Sequence, residues 1–475
     1  MQIKKKTKII ATIGPSCSSY DTLKKMITAG VNVCRLNFSH TNHEDALRII
    51  SIIRKINYEI GSQTAILGDL QGPKIRLGLV KQKIFLKSGE KILLTNKKIN
   101  SSNKKLFIDY SRLIRDLKVD DLVLIDDGKI KLKVESVNQE TITCHILNGG
   151  AISSRKGVNL PKTELSFRSM TKKDKADLNF LIKHEFDWVA LSFVRTSKDI
   201  LELRNILSKK KSDIKIIAKI EKPEAVKNIK SITRSSDAIM IARGDLGIEI
   251  PMQKVPIVQK KIIKLCLIYS KPVVVATQLM EGMMQNSITT RAETNDVANA
   301  VFDGADALML SGETAVGKYP YKVVKAMSKI ILSVEATSLK SRTQLMLPQK
   351  KASDRYISDS ICFHACELAD QVQSKAIITL THSGYNAQKI VSNRPNSFVY
   401  VFTNNQKIVN TLSLFWGIYA FHYDRFHSTD ETIKDLHDFL KSKKILKNGE
   451  IVINIGSMPI MDKGMTNMLK VGTIK

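Results

Sequence analysis

A chain of 475 residues, 43% hydrophobic and 25% charged, has the composition of a globular protein with about three domains. No apolar run approaches the roughly 20 residues a membrane-spanning helix needs. The apolar part of the opening MQIKKKTKIIATIGPS is too short for a secretion signal, so a cytoplasmic protein with no membrane role is expected. The net charge of +30 favours anionic partners, yet the lysines are spread along the chain without a zinc-finger, RNP or aromatic–basic pattern, which argues against nucleic acid.

In chain order, the first three strands are expected at 7–14 (TKIIATIG), 31–39 (VNVCRLNFS) and 64–72 (TAILGDLQG), with the helix-like DTLKKMITAG after the first. From 73 to 160 the pattern changes to the short runs KIFLKSGEKILLT, DDLVLIDDGKIKLKVESV and ETITCHILNGG. Asp127-Gly128 signals a hairpin and Gly149-Gly150 a turn, so this stretch reads as a small inserted β domain. Five further strands are expected at 186–194 (FDWVALSFV), 214–221 (IKIIAKIE), 238–246 (AIMIARGDL), 272–278 (PVVVATQ) and 306–313 (DALMLSGE). Eight apolar strands alternating with helices argue for an α/β fold, a parallel (β/α)8 TIM barrel built from residues 1–72 and 161–340. The insert 73–160 sits on a βα connection and so rises from the catalytic face as a lid. After RTQLMLPQKKASDR, read as a linker, the helix-like DSICFHACELADQ and the strands in KAIITLTHSG, SFVYVFTNN, GIYAFHY and GEIVINIGS predict an open α/β domain over 341–475.

Polar residues stand at the carboxyl ends of the barrel strands, where such a fold builds its active site. Lys219 and Glu221 are two apart on one strand and face the same way. Glu221 with Asp245 suits Mg2+, which takes one or two carboxylates and completes its shell with substrate oxygens and water. Lys219 suits a moving phosphoryl group. A structural salt bridge is the plainer reading, but several polar strand ends together favour function. The run ARGDLG opens a helical turn whose N–H groups suit a carboxylate or phosphate. Arg35, Asn37 and Ser39 alternate at the end of the second strand and Asp69 ends the third, an oxygen-rich cluster for a cation or phosphate. Gly312 to Lys318 nearly matches a phosphate loop, but Tyr319 and Pro320 follow where a hydroxyl and a helix are required, so it is rejected. The turn Thr379–Tyr385 has no lysine or arginine and reads equally as an effector cradle or an ordinary βα turn. The six cysteines form no C-x-x-C, and Cys34 and Cys266 lie in apolar surroundings as core residues.

The motifs KIIATIGPS, RLNFSH, GDLQGPKIR, KGVNLP, AKIE, MIARGDLGIEIP, VVVATQ, TRAETNDVANAVFDGADALMLSGETA and the closing GMTN carry a resemblance to the pyruvate kinase family over essentially the whole chain. The resemblance implies a glycolytic enzyme that moves the phosphoryl group of phosphoenolpyruvate to ADP, giving ATP and pyruvate. It implies Lys219, Arg35 and Thr277 as catalytic residues, with Lys219 on the transferring group and Arg35 on the substrate phosphate. Gly244, Asp245 and Thr277 would hold the substrate, and Glu221 and Asp245 would hold Mg2+, with Mn2+ as a substitute. Asn37, Phe38, Ser39, His40, Arg76 and Lys156 would meet the nucleotide. Asn37, Ser39, Asp69 and the backbone of Leu70 match the K+ site. A bacterial-type homotetramer with an AMP or sugar-phosphate effector is also implied.

Several positions depart from the family pattern, Leu70, Gln71 and Leu77 among them. Lys74 stands where K+-dependent members carry a glutamate, so its ammonium is expected to replace the cation and weaken the need for K+. Thr289 replaces a proline before TRAE, which is expected to loosen that loop, and Tyr385 replaces a basic residue of the effector turn. The proton donor to the enolate is left open between Thr277 and a water relay through Ser311 and Glu313. Two other classes compete. A Mg2+-dependent barrel lyase would share the carboxylate pair but not need the lid, Arg76 or Lys156. A basic binding protein would need a clustered basic face.

Overall fold

The computed structural model describes residues 5–80, 82, 84–161, 163, 169–337, 355–425, 428–459 and 465–475. The expected linker lies outside these residues except for Arg355, as does Gly464 of the closing motif. Strands β1 (Lys8–Thr12), β2 (Val33–Asn37) and β3 (Ala65–Asp69) open the barrel. The insert follows with β4 (Ile84–Leu86), β5 (Lys91–Thr95), β6 (Lys105–Phe107), β7 (Leu122–Ile125), β8 (Ile130–Val137), β9 (Ile142–Asn148), β10 (Gly150–Ile152) and β11 (Val158–Asn159). The barrel resumes with β12 (Trp188–Leu191), β13 (Lys215–Ile220), β14 (Ala238–Ala242), β15 (Val273–Ala276) and β16 (Ala307–Leu310), and closes in the order β1-β16-β15-β14-β13-β12-β3-β2. All eight strands fall on the expected runs. Their residues are buried on both faces, as β1, β14 and β15 illustrate at every position, which is why they read as continuous apolar runs. Ile10, Val33, Leu67, Ile217, Met240 and Val274 fill the interior, while neighbours such as Ile9, Ile216 and Ile239 pack under the helices.

The lid is a six-stranded sheet, β11-β7-β8-β9-β5-β6, plus the pair β10–β4. The β7–β8 hairpin turns at Asp126, Asp127 and Gly128, all with positive φ, which Asp and Gly tolerate. Gly149-Gly150 is not the expected turn. The chain leaves β9 there and joins β4 through β10, and a Cβ on Gly149 would lie 2.2 Å from the Leu86 carbonyl oxygen. The glycine serves a close backbone crossing.

The C-terminal sheet runs β19 (Ile418–His422), β18 (Phe398–Thr403), β17 (Ala376–Leu380), β20 (Ile451–Gly456) and β21 (Met468–Thr473). The first four are parallel, and β21 adds antiparallel at the edge. Strand β21 has no fully buried residue, so it lacks the apolar run that exposed the others in the sequence.

This domain covers the lower mouth of the barrel. Trp188 Nε1 donates to the Thr411 carbonyl at 3.3 Å, and its ring lies 6.4 Å from Phe415. The charged opening of the chain is sealed into the same seam. Lys5 Nζ donates to the Gly30 carbonyl and Asn32 Oδ1 at 2.7 and 2.6 Å. Lys6 Nζ lies 5.0 Å over Trp416, and Lys8 Nζ donates to the Ile418 carbonyl at 2.7 Å and sits 4.3 Å over the Tyr419 ring. Glu335 accepts from the amides of Lys6 and Thr7.

Burial pushes the Lys8 ammonium down to about 7 against the pull of Glu335, and burial, then Lys8, lowers Lys5 as well. Between about pH 7 and the ordinary lysine value near ~10.4, the unfolded chain therefore binds protons that the folded chain has released, so stability rises with pH across that window. The thermal midpoint of the wild type is expected to climb from pH 7 to 9 relative to that of Lys8→Met. Parallel profiles would count against a depressed Lys8.

Candidate active site

The carboxyl ends of the strands bring together most of the residues picked from the sequence. Arg35, in the middle of β2, places Nε 2.7 Å from Asp69 Oδ2 and donates from Nη1 to Thr12 Oγ1 at 2.8 Å. Lys219, near the end of β13, places Nζ 3.0 Å from Glu221 Oε1 and 3.2 Å from Asp69 Oδ1, and donates to Ser192 Oγ at 2.7 Å. Glu221 Oε2 accepts from the Phe193 amide at 2.7 Å. Asp69 and Glu221 are almost wholly buried.

Burial alone would lower the proton affinity of Lys219, but Asp69 and Glu221 outweigh it and hold the ammonium charged. Burial would likewise raise Asp69, yet Lys219 and Arg35 pull it below the ordinary carboxylate range. Glu221 goes the other way. Burial, then Asp245, raises it in spite of Lys219. A buried carboxylate pressed by a second one gains by sharing a cation, so Glu221 and Asp245 fit a divalent ion. Among the described residues no group of three or more His, Cys, Asp or Glu is placed to hold a metal. An ion here would therefore take its remaining ligands from substrate and water.

Two family models match this chain: "Pyruvate kinase, barrel domain" over residues 4–324 and "Pyruvate kinase, alpha/beta domain" over 359–472. The chain is 40% identical over 476 residues to a pyruvate kinase of Geobacillus stearothermophilus, covering 99% of this chain and 81% of that one. It is 38% identical to a pyruvate kinase of Staphylococcus aureus (strain MRSA252), covering 98% and 80%. Its fold matches the crystal structure of a pyruvate kinase from Cryptosporidium parvum with a TM-score of 0.92 at 33% identity, covering 99% of this chain and 96% of that one. The chain belongs to the pyruvate kinase family.

As a pyruvate kinase, it transfers the phosphoryl group of phosphoenolpyruvate to ADP, giving ATP and pyruvate. The lyase and basic-binding readings fall away. No helix among the described residues is long and apolar enough to cross a membrane.

The residues that the resemblance assigns to the nucleotide lie on two bodies. Asn37 to His40 follow β2 on the barrel, with Asn37 Oδ1 accepting from the Ser39 amide at 3.1 Å and Phe38 buried. Arg76 and Lys156 lie on the lid, where Arg76 Nη1 donates to the Arg155 carbonyl at 3.1 Å and Lys156 Nζ lies 2.8 Å from Asp126 Oδ1. The K+ set is only partly free to coordinate. Both Asp69 oxygens face cationic side chains, and the Leu70 carbonyl accepts from Ser192 Oγ at 2.7 Å. Lys74 meets a different carboxylate: its Nζ is 3.9 Å from Asp245 Oδ1.

Thr277 follows β15 in a strained conformation, with φ of 70° on a β-branched residue. Its Oγ1 accepts from the Gly244 amide at 2.7 Å, so that amide, expected to be free, is held by Thr277. Glu313 accepts from the Ser311 and Met280 amides, which fixes the carboxylate behind the site. Thr289 is hydrogen-bonded through its side chain. Its Oγ1 lies 3.3 Å from Glu293 Oε2 and joins the Thr290–Glu293 capping box of the helix Arg291–Phe302.

Sequence reasoning missed Ser192, which ties Lys219 to the Leu70 backbone, although its place at the end of WVALSFV matched that of the other site residues. It also missed Arg243, whose guanidinium reaches Asp296 with two nitrogens at 2.7 Å and donates to the Thr277 carbonyl at 2.8 Å.

Proposed function

We propose that Lys219 stabilises the phosphoryl group in flight, with Arg35 on the substrate phosphate and Thr277 and the Gly244–Asp245 backbone on the rest of phosphoenolpyruvate, the Gly244 amide exchanging Thr277 Oγ1 for substrate. The observation that carries this reading is a buried, charged ammonium fixed by three partners at the mouth of the barrel. A preorganised cation in a site shielded from water stabilises charge developing on a transferring group without having to reorient. Glu221 and Asp245 hold Mg2+ or Mn2+, which when bound supplies charge neutralisation between the two phosphate-bearing substrates. Arg76 and Lys156 from the lid close over the nucleotide held by Asn37 to His40, and Lys156 then exchanges Asp126 for a phosphate oxygen. Exclusion of water by the lid keeps the group from being lost to hydrolysis. The proton donor to the enolate remains between Thr277 and a relay through Ser311 and Glu313.

Lys74 supplies a positive charge in place of K+, delivered beside Asp245 and not among the K+ residues. Pyruvate formation from phosphoenolpyruvate, ADP and Mg2+, followed through coupled NADH loss, is expected in sodium or Tris buffer, with little gain on adding K+. Strong stimulation by K+ would keep the reaction and discard this role for Lys74. Absence of activity in both, from folded protein, would undo the residue roles.

The C-terminal domain takes an anionic effector of the AMP or sugar-monophosphate class. The supporting feature is a cavity of about 270 Å3 at the Thr379–Tyr385 turn, lined by Thr381, His382, Ser383, Tyr385 and Arg355. Arg355, from outside the turn, lies 4.4 Å over the Tyr385 ring and provides the cation the turn lacks. AMP or ribose 5-phosphate is expected to raise the thermal midpoint of the wild type more than that of Arg355→Ala, and equal shifts would remove the site. The enzyme works as a cytoplasmic homotetramer in this reading.

A further inference from the structure

Both stalks of the lid rest on the helix Arg243–Glu249. The outgoing stalk brings Lys74 Nζ to 3.9 Å from Asp245 Oδ1, and the returning stalk brings Asn159 Nδ2 to 2.7 Å from Glu249 Oε1. Asp245 and Glu249 are four residues apart and share one side of the helix. The stalks are also bonded to each other, Val158 N to the Ile75 carbonyl at 3.0 Å and Leu77 N to the Lys156 carbonyl at 2.8 Å, so they swing together.

Glu249 Oε1 accepts a second donor, Lys222 Nζ, at 2.7 Å. Lys222 directly follows Glu221 in the chain. One oxygen thus joins the lid, the far end of the helix that begins at the substrate site, and the backbone next to a metal carboxylate. Glu249, Asn159 and Lys222 are 5%, 9% and 4% exposed, so this is no solvated surface pair. The other oxygen, Oε2, is buried without a partner among the described residues, and Glu249 lines the cleft of about 1330 Å3 beside the lid. Buried polar atoms are almost always paired, so a carboxylate left with spare acceptor capacity is set up for more than packing.

We propose that Glu249 is a positioning residue that couples the lid to the metal carboxylates, through Asn159 on one side and Lys222 on the other. The coupling rests on the roles proposed above for Glu221, Asp245, Arg76 and Lys156. With the lid seated, Asn159 and Lys222 share Oε1. When the lid lifts, Asn159 withdraws and the Lys222–Glu249 pair tightens or shifts. In a buried site such a pair interacts strongly with small changes of distance, and Lys222 carries Glu221 with it.

Asn159 touches none of the proposed metal or substrate residues, so Asn159→Ala separates the coupling from the chemistry. In the full-length enzyme this variant is expected to raise the KM for ADP and to weaken Mn2+ binding, read by paramagnetic resonance without substrates, each by about tenfold, the loss of one hydrogen bond to a charged group. A residue that only supports the fold would lower the thermal midpoint and leave both constants alone, and that result overturns the coupling. Glu249→Gln keeps an acceptor for Lys222, and the double variant is expected to be no worse than the more damaged single one, because the two act through one contact. Additive losses would overturn the proposal. If Glu249→Gln fails to fold, the two constants of Asn159→Ala decide alone. Normal Mn2+ binding by Glu221→Gln would undo the role assignments beneath the proposal, whereas weakened binding there with unchanged Asn159→Ala undoes the coupling only.

Discussion

Lys219→Met is expected to lower turnover by about 10²–10³, the loss of one preorganised electrostatic group. Asp69 and Glu221 are buried beside this ammonium, and Arg35 supplies the other positive neighbour. Without Lys219, phosphoryl oxygens entering the site would face two carboxylates with less compensation, which disfavours both binding and the transition state. The same deletion threatens the fold, because removing one partner of a buried pair commonly costs about 3–5 kcal/mol. Lys219→Arg separates the effects. It keeps the charge against Asp69 and Glu221 but spreads it over a planar fork that cannot reproduce a point contact at 2.7 Å to Ser192. Lys219→Arg is expected to melt near the wild type and still lose most turnover. Near-normal turnover in folded Lys219→Met would remove the residue from the chemistry.

Glu221→Gln is expected to raise the Mg2+ requirement by at least about 100-fold, the upper end of what altered support of a metal ligand costs. The amide has the shape of the carboxylate and an oxygen for the Phe193 amide, but its NH2 then faces the Lys219 ammonium, so the thermal midpoint is read beside the metal constant. The pH dependence gives a second reading. Burial and Asp245 raise the proton affinity of Glu221, so protons compete with the metal in the wild type. The apparent Mg2+ constant of the wild type should rise as pH falls, because the protonated acid must lose its proton before it can bind. Glu221→Gln should lack most of that slope. Direct Mn2+ titration at several pH values checks both statements, and an unchanged slope in the variant would shift the titrating group elsewhere.

The parts of this molecule legible in the sequence are those whose signal is local. A strand buried on both faces leaves an unbroken apolar run, so all eight barrel strands stood out, and with them the polar residues at their ends. Lys219 and Glu221 share a strand end, so their contact followed from spacing. Ser192 did not follow, because its value lies in bonds to Lys219 and Leu70 on other strands, 27 and 122 residues away. Strand β21 stayed hidden for the opposite reason, since an edge strand with no buried residue has no apolar pattern to show. Arg355 reaches the effector turn from just before the helix Tyr356–Gln371, which no reading of the turn itself reveals.

The lysine seam has a consequence for how the enzyme is made. Lys8 bonds to Ile418 and the Lys5 amide to Tyr419, partners 410 and 414 residues downstream. At ~5–20 residues per second, a ribosome that has made the first side of this joint needs roughly 20–80 s to deliver the second. During that interval the barrel can close strand by strand, but Trp188 and the lower mouth stay uncovered, and the lysines stay hydrated and charged. The final step of folding is therefore a dehydration of cations at the start of the chain by its last domain, and a nascent chain stalled before residue 418 should present an apolar mouth to whatever chaperones attend it.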